Sequence, residues 1–176
     1  MLLIEGLKEQ KSTIRKMEDL RKKIGAHCAD LDCMSPVYGS AEEQKKKISE
    51  WLQSHHDLAL NLTELKKKIQ ATNLATQVSI KIGEDIITRS ITEWVIRRRE
   101  VIDLENLAYS SLTDRNLAEK GLRTLGNSDE QKKIQNARVR FYFDATARDE
   151  NIDLLKTEKD SIDKTLEIIN ATTQII

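Results

Sequence analysis

Apolar residues return every seven positions along long stretches of this chain, and no other feature restricts the possible folds so strongly. Leu3, Leu7, Ile14, Met17, Ile24 and Leu31 fall on steps of three, four or seven residues, with Gln10, Arg21 and Cys28 filling the gaps. A second stripe runs through Ile48, Leu52, His55, Ala59, Leu62, Leu65 and Ile69, widened by Trp51 and Leu58. A third, the most regular, runs through Ile152, Leu155, Ile162, Leu166, Ile169 and Ile176, interrupted by Lys159 and Thr173. A seven-residue apolar repeat keeps one seam of a helix facing a partner helix.

Punctuation between the stripes is equally legible. Residues 33–40 collect turn formers around Pro36, the single proline of the chain, and proline cannot continue a helix. Ser40 with Glu43 forms a capping box, since each side chain can satisfy a backbone N–H of the other at a helix start. Ser90 with Glu93 repeats the pattern, and Asp144 can cap the last helix. Between these, Val78, Ile80 and Ile82 alternate with polar residues, Gly83-Glu84-Asp85 reads as a turn, and Ile86-Ile87-Thr88 returns. The run from Arg138 to Phe143 alternates again and is β-branched and aromatic, which predicts a third strand. The band from Ile91 to Leu112 is broader than a two-helix seam, so that helix is expected to touch more than one neighbour.

The expected fold is therefore mostly α: long antiparallel heptad-patterned helices with a two- to three-stranded antiparallel sheet, in one elongated domain over 1–176. Helices are expected at about 2–33, 41–76, 91–113 and 145–174, and strands at about 78–82, 86–88 and 138–143. The first two of these helices, each roughly 45–50 Å long, exceed what a compact globule of about 16 Å radius of gyration accommodates. The residues around 113–137 carry Gly121 and Gly126-Asn127 and give no clear periodicity. The helix ends Ile69-Gln70-Ala71-Thr72-Asn73 and Ile169-Asn170-Ala171-Thr172-Thr173 echo each other. Duplication explains this, and so does the ordinary preference of Asn and Thr for helix ends.

Composition removes several functions. With 29 basic and 29 acidic side chains the chain has no bulk field that would oblige it to bind nucleic acid or anionic membrane. The opening Met1-Leu2-Leu3-Ile4 meets Glu5 at once, and no run approaches the ~20 apolar residues of a membrane span. Cys28 and Cys33 do not make a disulfide framework. The expected location is cytoplasmic, or within a virion for a phage-encoded chain, without membrane contact.

Catalytic and metal motifs are sparse. His27, Cys28 and Cys33 lack an obvious fourth ligand for structural zinc, and His55 sits on a helix seam, where a packed histidine is the simpler reading. No phosphate loop, Gly-x-Ser-x-Gly elbow or His-Glu-x-x-His pair occurs. The reading is of a non-enzyme with no catalytic residue, no cofactor and no metal. Basic triplets at 45–47, 66–68 and Arg97-Arg98-Arg99, together with Arg138, Arg140 and Tyr142, are the candidate nucleic-acid contacts. This ranks below self-association, because acids nearly match the lysines of the second helix.

The helix end Ile69 to Thr76, the hairpin after it, the Ser90-to-Glu93 helix start, the run Val139 to Phe143 and a heptad helix ending near Asn170 resemble the septicolysin-like family of small bacterial and phage proteins. The resemblance covers about residues 60–176. Arg97-Arg98-Arg99-Glu100 departs from the family's basic pair followed by Asp, and the loop from Thr113 to Gln135 also differs. The resemblance implies a helical, oligomer-forming protein whose family function is unsettled, and its name suggests a membrane-active, lysin-like alternative. From the residues themselves the leading expectation is a structural assembly protein, a homo-oligomer and a possible partner of other virion or assembly proteins. Its interface is expected at Leu52, Leu62, Leu65, Ile69, Leu155, Ile162, Leu166 and Ile169.

Overall fold

A computed structural model describes residues 1–115, 117 and 139–176. The chain is mostly helical with a small antiparallel hairpin, as the periodicities require. Helix α1 spans Leu3–His27 and α2 Ala41–Ala75; strands β1 (Gln77–Ile82) and β2 (Asp85–Ser90) follow. Next come α3 (Ile91–Ile96), a π-helical turn (Arg97–Val101) and α4 (Ile102–Ser110), and the last helix, α5, covers Ala145–Thr172. Among the described residues no helix is long and apolar enough to cross a membrane.

The cap expected for α2 forms in full. The Glu43 N–H donates to Ser40 Oγ at 3.2 Å, and the Ser40 N–H donates to Glu43 Oε2 at 3.0 Å. Gly39 just before it takes φ +89°, a value that glycine adopts without steric cost. At the last helix, Asp144 Oδ1 accepts from the N–H groups of Thr146 and Ala147, at 2.8 and 3.3 Å. Helix α1 stops at His27 and not near Cys33. Asp30 and Asp32 would place negative charge at the negative end of a longer helix, and Met34 N–H closes a turn on Leu31 O instead.

The described residues form two compact units, each assembled from separated parts of the sequence. In the first (1–77, 90–92 and 166–176), α1 and α2 pack side by side. Gln44 Nε2 donates to His27 O, while Gly6 lies against Ile69, so the two helices run antiparallel. The buried residues Leu3, Gly6, Ile69, Thr72, Ser90, Ile91 and Leu166 all lie near one end of this pair in sequence terms. The first and last residues meet in a short antiparallel bridge. Leu3 N–H donates to Thr173 O, Ile175 N–H to Met1 O, and Ile176 N–H to Thr72 Oγ1.

The second unit (78–89 and 93–165) holds most of the hairpin. A two-residue turn joins the strands. Gly83 sits at φ +60° in its first central position while Glu84 keeps a negative φ, the pattern of a type II′ turn. The register places Ser79 opposite Thr88, whose hydroxyls lie 2.7 Å apart. Val78 and Ile80 point to the buried side. A hairpin alone is marginal in water, and this one is anchored by fully buried Trp94, whose indole N–H donates to Val78 O at 2.9 Å.

Residues 139–143 carry no strand, which corrects the third-strand expectation for 138–143; Arg138 lies outside the described residues. No strand among the described residues offers this run a ladder. Its alternation instead brings Phe141 and Phe143 into an edge-to-face pair with centroids 5.1 Å apart.

The π-helical turn explains the broad apolar band of the third helical segment. Trp94 and Ile102 are eight positions apart, which in an unbroken α-helix separates them by about 80°. The Ile102 N–H bonds Arg97 O, an i to i+5 closure that absorbs one residue. The two side chains are thereby brought within about 20° of one face, and both are buried.

Candidate interaction surfaces

The sequence-derived interface residues divide sharply. Ile69, Leu155, Leu166 and Ile162 (0% exposed) are buried by their own chain. They are core residues in this fold and retain no surface for a second copy, which corrects their assignment as oligomer contacts. A heptad seam has the same appearance whether its partner helix belongs to the same chain or to another. Leu62, Leu65 and Ile169 are half-buried, and Leu52 is 54% exposed. In the paired helices of the first unit, no residue from 7 to 68 is buried, although aliphatic positions recur throughout. Ile14, Met17, Ile24, Ile48, Leu58, Leu62 and Leu65 are only half covered there, and Leu60 is exposed beside Leu52.

At the outer end of that pair, His27, Tyr38 and Trp51 form an aromatic cluster with centroids 5.3–5.8 Å apart. It ties the 28–40 connection to α2. His27 is thus a packing residue, while Cys28 and Cys33 are exposed free thiols. His55 is half-buried on α2 and His56 is exposed.

Four of the nine residues in the basic triplets, Lys47, Lys67, Arg97 and Arg98, pair with the chain's own acids. Arg97 grips Glu158 through two bonds of 2.8 Å, Nε to Oε1 and Nη2 to Oε2, and its Nη1 donates to Glu105 Oε1 at 2.7 Å. These bonds raise the guanidinium pKa well above its ordinary value, with Glu158 the larger cause, and they hold the Glu105 carboxyl below its usual range. Arg98 donates from Nη2 to Asp163 Oδ2 at 3.0 Å, and Lys159 Nζ lies 2.6 Å from Asp103 Oδ1. Only Arg99 of this triplet is exposed. Lys47 and Lys67 pair along α2 with Glu50 and Glu64, lowering both carboxyl pKa values. Nothing in the sequence signalled that Arg97 and Glu158, far apart along the chain, would meet.

Arg140 and Tyr142 fare differently. They line an open groove of about 700 Å³ in the second unit, between Leu107–Leu117 and Val139–Phe143. Arg148 ties two of its lining residues together, donating from Nη1 to Leu112 O at 2.9 Å with its guanidinium 5.5 Å from the Phe143 ring centre. Tyr142 is 91% exposed and Phe141 50%. Arg115 and Arg140, both exposed, have no ion-pair partner among the described residues.

No protein-family description, curated protein or solved structure matches this chain.

Proposed function

We propose that the chain is a non-enzymatic assembly protein that associates with copies of itself through the α1–α2 helix pair, in a virion or another multi-copy particle. One observation carries the reading: residues 7–68 repeat aliphatic side chains at helical spacing and bury none of them. Two helices alone shield a seam from one side each. Leu52 and Leu60 stay in water on α2, and the half-covered aliphatic positions gain further burial only against another helical surface.

The available area is sufficient. The helices share roughly 30 Å of length and present a face about 20 Å wide, or roughly 600 Å² per copy. Two such faces bury about 1,200 Å², the lower edge of stable protein interfaces.

Light scattering of the purified chain at micromolar concentration tests it. Wild type is expected as a homo-oligomer. The double variant Leu52→Asp, Leu60→Asp, which alters only exposed positions, is expected to stay helical and fall to monomer mass. A monomeric wild type, or an oligomer that survives both substitutions, would refute the reading.

A further inference from the structure

The groove of the second unit combines two features that the rest of the described surface keeps apart. Its aromatic side chains present ring faces to water: Tyr142 is almost wholly exposed and Phe141 half so. Its cations are uncommitted: among the described residues Arg115 and Arg140 have no ion-pair partner, whereas Arg97 and Arg98 are consumed by Glu158, Glu105 and Asp163. Asp114, the acid of the lining, is already engaged. An occupant must therefore supply flat apolar surface and negative charge together. A protein helix offers the first through aliphatic side chains but has no planar groups with anions at regular intervals. A nucleic-acid single strand has both, since every base carries a π-face and every linkage a phosphate. A duplex hides its base faces in the stack and would leave Tyr142 unused.

We propose that this groove binds a segment of single-stranded nucleic acid, with a base stacked on Tyr142 and phosphates held by Arg140 and Arg115. The groove is held in shape, because Arg148 links Phe143 of one lining segment to the carbonyl of Leu112 in the other. A groove of about 700 Å³ lies within the range of small-ligand sites, ~300–1,000 Å³. It therefore holds a short stretch of strand, and binding is local and independent of sequence. Neutral overall charge fits that mode: two arginines placed at one groove supply the attraction that the whole chain lacks.

The test uses the full chain and a fluorescently labelled oligothymidylate, read by anisotropy in dilute salt. Binding is expected, weakening with salt along a log–log slope of about −1.4 for two phosphate contacts at ~0.7 each. Tyr142→Ala is expected to weaken binding roughly tenfold or more, the loss typical of one stacked base. Arg140→Ala is expected to flatten the slope by about 0.7. Circular dichroism should match wild type for both variants, whose altered side chains are exposed. The Leu52→Asp, Leu60→Asp variant is expected to bind the oligonucleotide as wild type does, so failure of self-association and failure of strand binding remain separable. Absence of binding in dilute salt overturns the proposal. So does unchanged affinity in Tyr142→Ala, or competition by thymidine monophosphate as effective as by the unlabelled oligomer. A Tyr142→Ala variant whose mass falls to that of a monomer would assign the groove to a second copy instead.

Discussion

Glu158 is the most informative position to perturb. It is 7% exposed, yet it is a carboxylate, held by two parallel bonds from Arg97 in the π-helical turn. Glu158→Gln keeps the shape and removes the charge, and its amide group then faces guanidinium hydrogens where an acceptor stood. Breaking a buried ion pair from one side costs about 3–5 kcal/mol, because the surviving charge remains desolvated. Arg97 keeps Glu105, whose side chain is 43% exposed and shields it partly, so the expected cost is about 2–3 kcal/mol. For a chain of this size that lowers the melting temperature by roughly 5–10 °C. The double variant Arg97→Met, Glu158→Leu removes both charges and fills the space with apolar atoms, and it is expected within about 1 kcal/mol of wild type. Urea denaturation of wild type, the single variants and the double variant closes the cycle. A Glu158→Gln protein within ~0.5 kcal/mol of wild type, the range of ordinary surface changes, would refute the argument. A double variant less stable than Glu158→Gln would do the same.

Acidification probes the same cluster. Glu105 has a folded-state pKa depressed by its bond from Arg97, so its stabilisation is present above the unfolded value of 4.5 and is lost as pH falls through the lower folded value. The urea midpoint should therefore drop between neutral pH and the acid range, and Arg97→Met should reduce that drop; an equal drop in both proteins counts against the pairing. Trp94→Phe removes the indole donor to Val78 O and leaves a small void at a fully buried position, costing about 1–3 kcal/mol by thermal denaturation. A loss below ~0.5 kcal/mol would mean that the hairpin is anchored elsewhere. Leu166→Asp places a charge at a core position, so loss of far-ultraviolet helical signal is expected, and not mere dissociation. A folded variant of reduced mass would restore Leu166 to an interface.

Local signals in the sequence translated directly into structure. Ser40 with Glu43, Asp144, Gly83 and the Val78–Ile80 alternation each act within a few residues, and each produced the expected cap, turn or strand. Pairing between distant segments was not legible. The seam of the last helix declares that it wants a neighbour but not which one, so Leu155, Ile162 and Leu166 read as contacts for a second copy although their own chain covers them. The π-helical turn was hidden for a related reason. Its residues have no distinctive composition, and only the mismatch between Trp94 and Ile102 on an ideal helix betrays an extra residue. The run 139–143 has strand chemistry but no ladder, and composition alone cannot report the lack of a neighbour. Of the basic triplet, only Arg99 has the exposure that solvated cations were expected to share, because Glu158 and Asp163 arrive from the other end of the sequence.

The bridge between Leu2 and Gln174 has a practical corollary for anyone handling the molecule. Its first and last residues are hydrogen-bonded neighbours, so a few glycines would suffice to fuse them into a continuous loop. New ends could then be opened in the exposed stretch between Cys28 and Ser35, giving a circularly permuted chain with every described helix intact. An affinity tag appended at Met1 or Ile176, by contrast, would crowd the very backbone that staples the two extremities together.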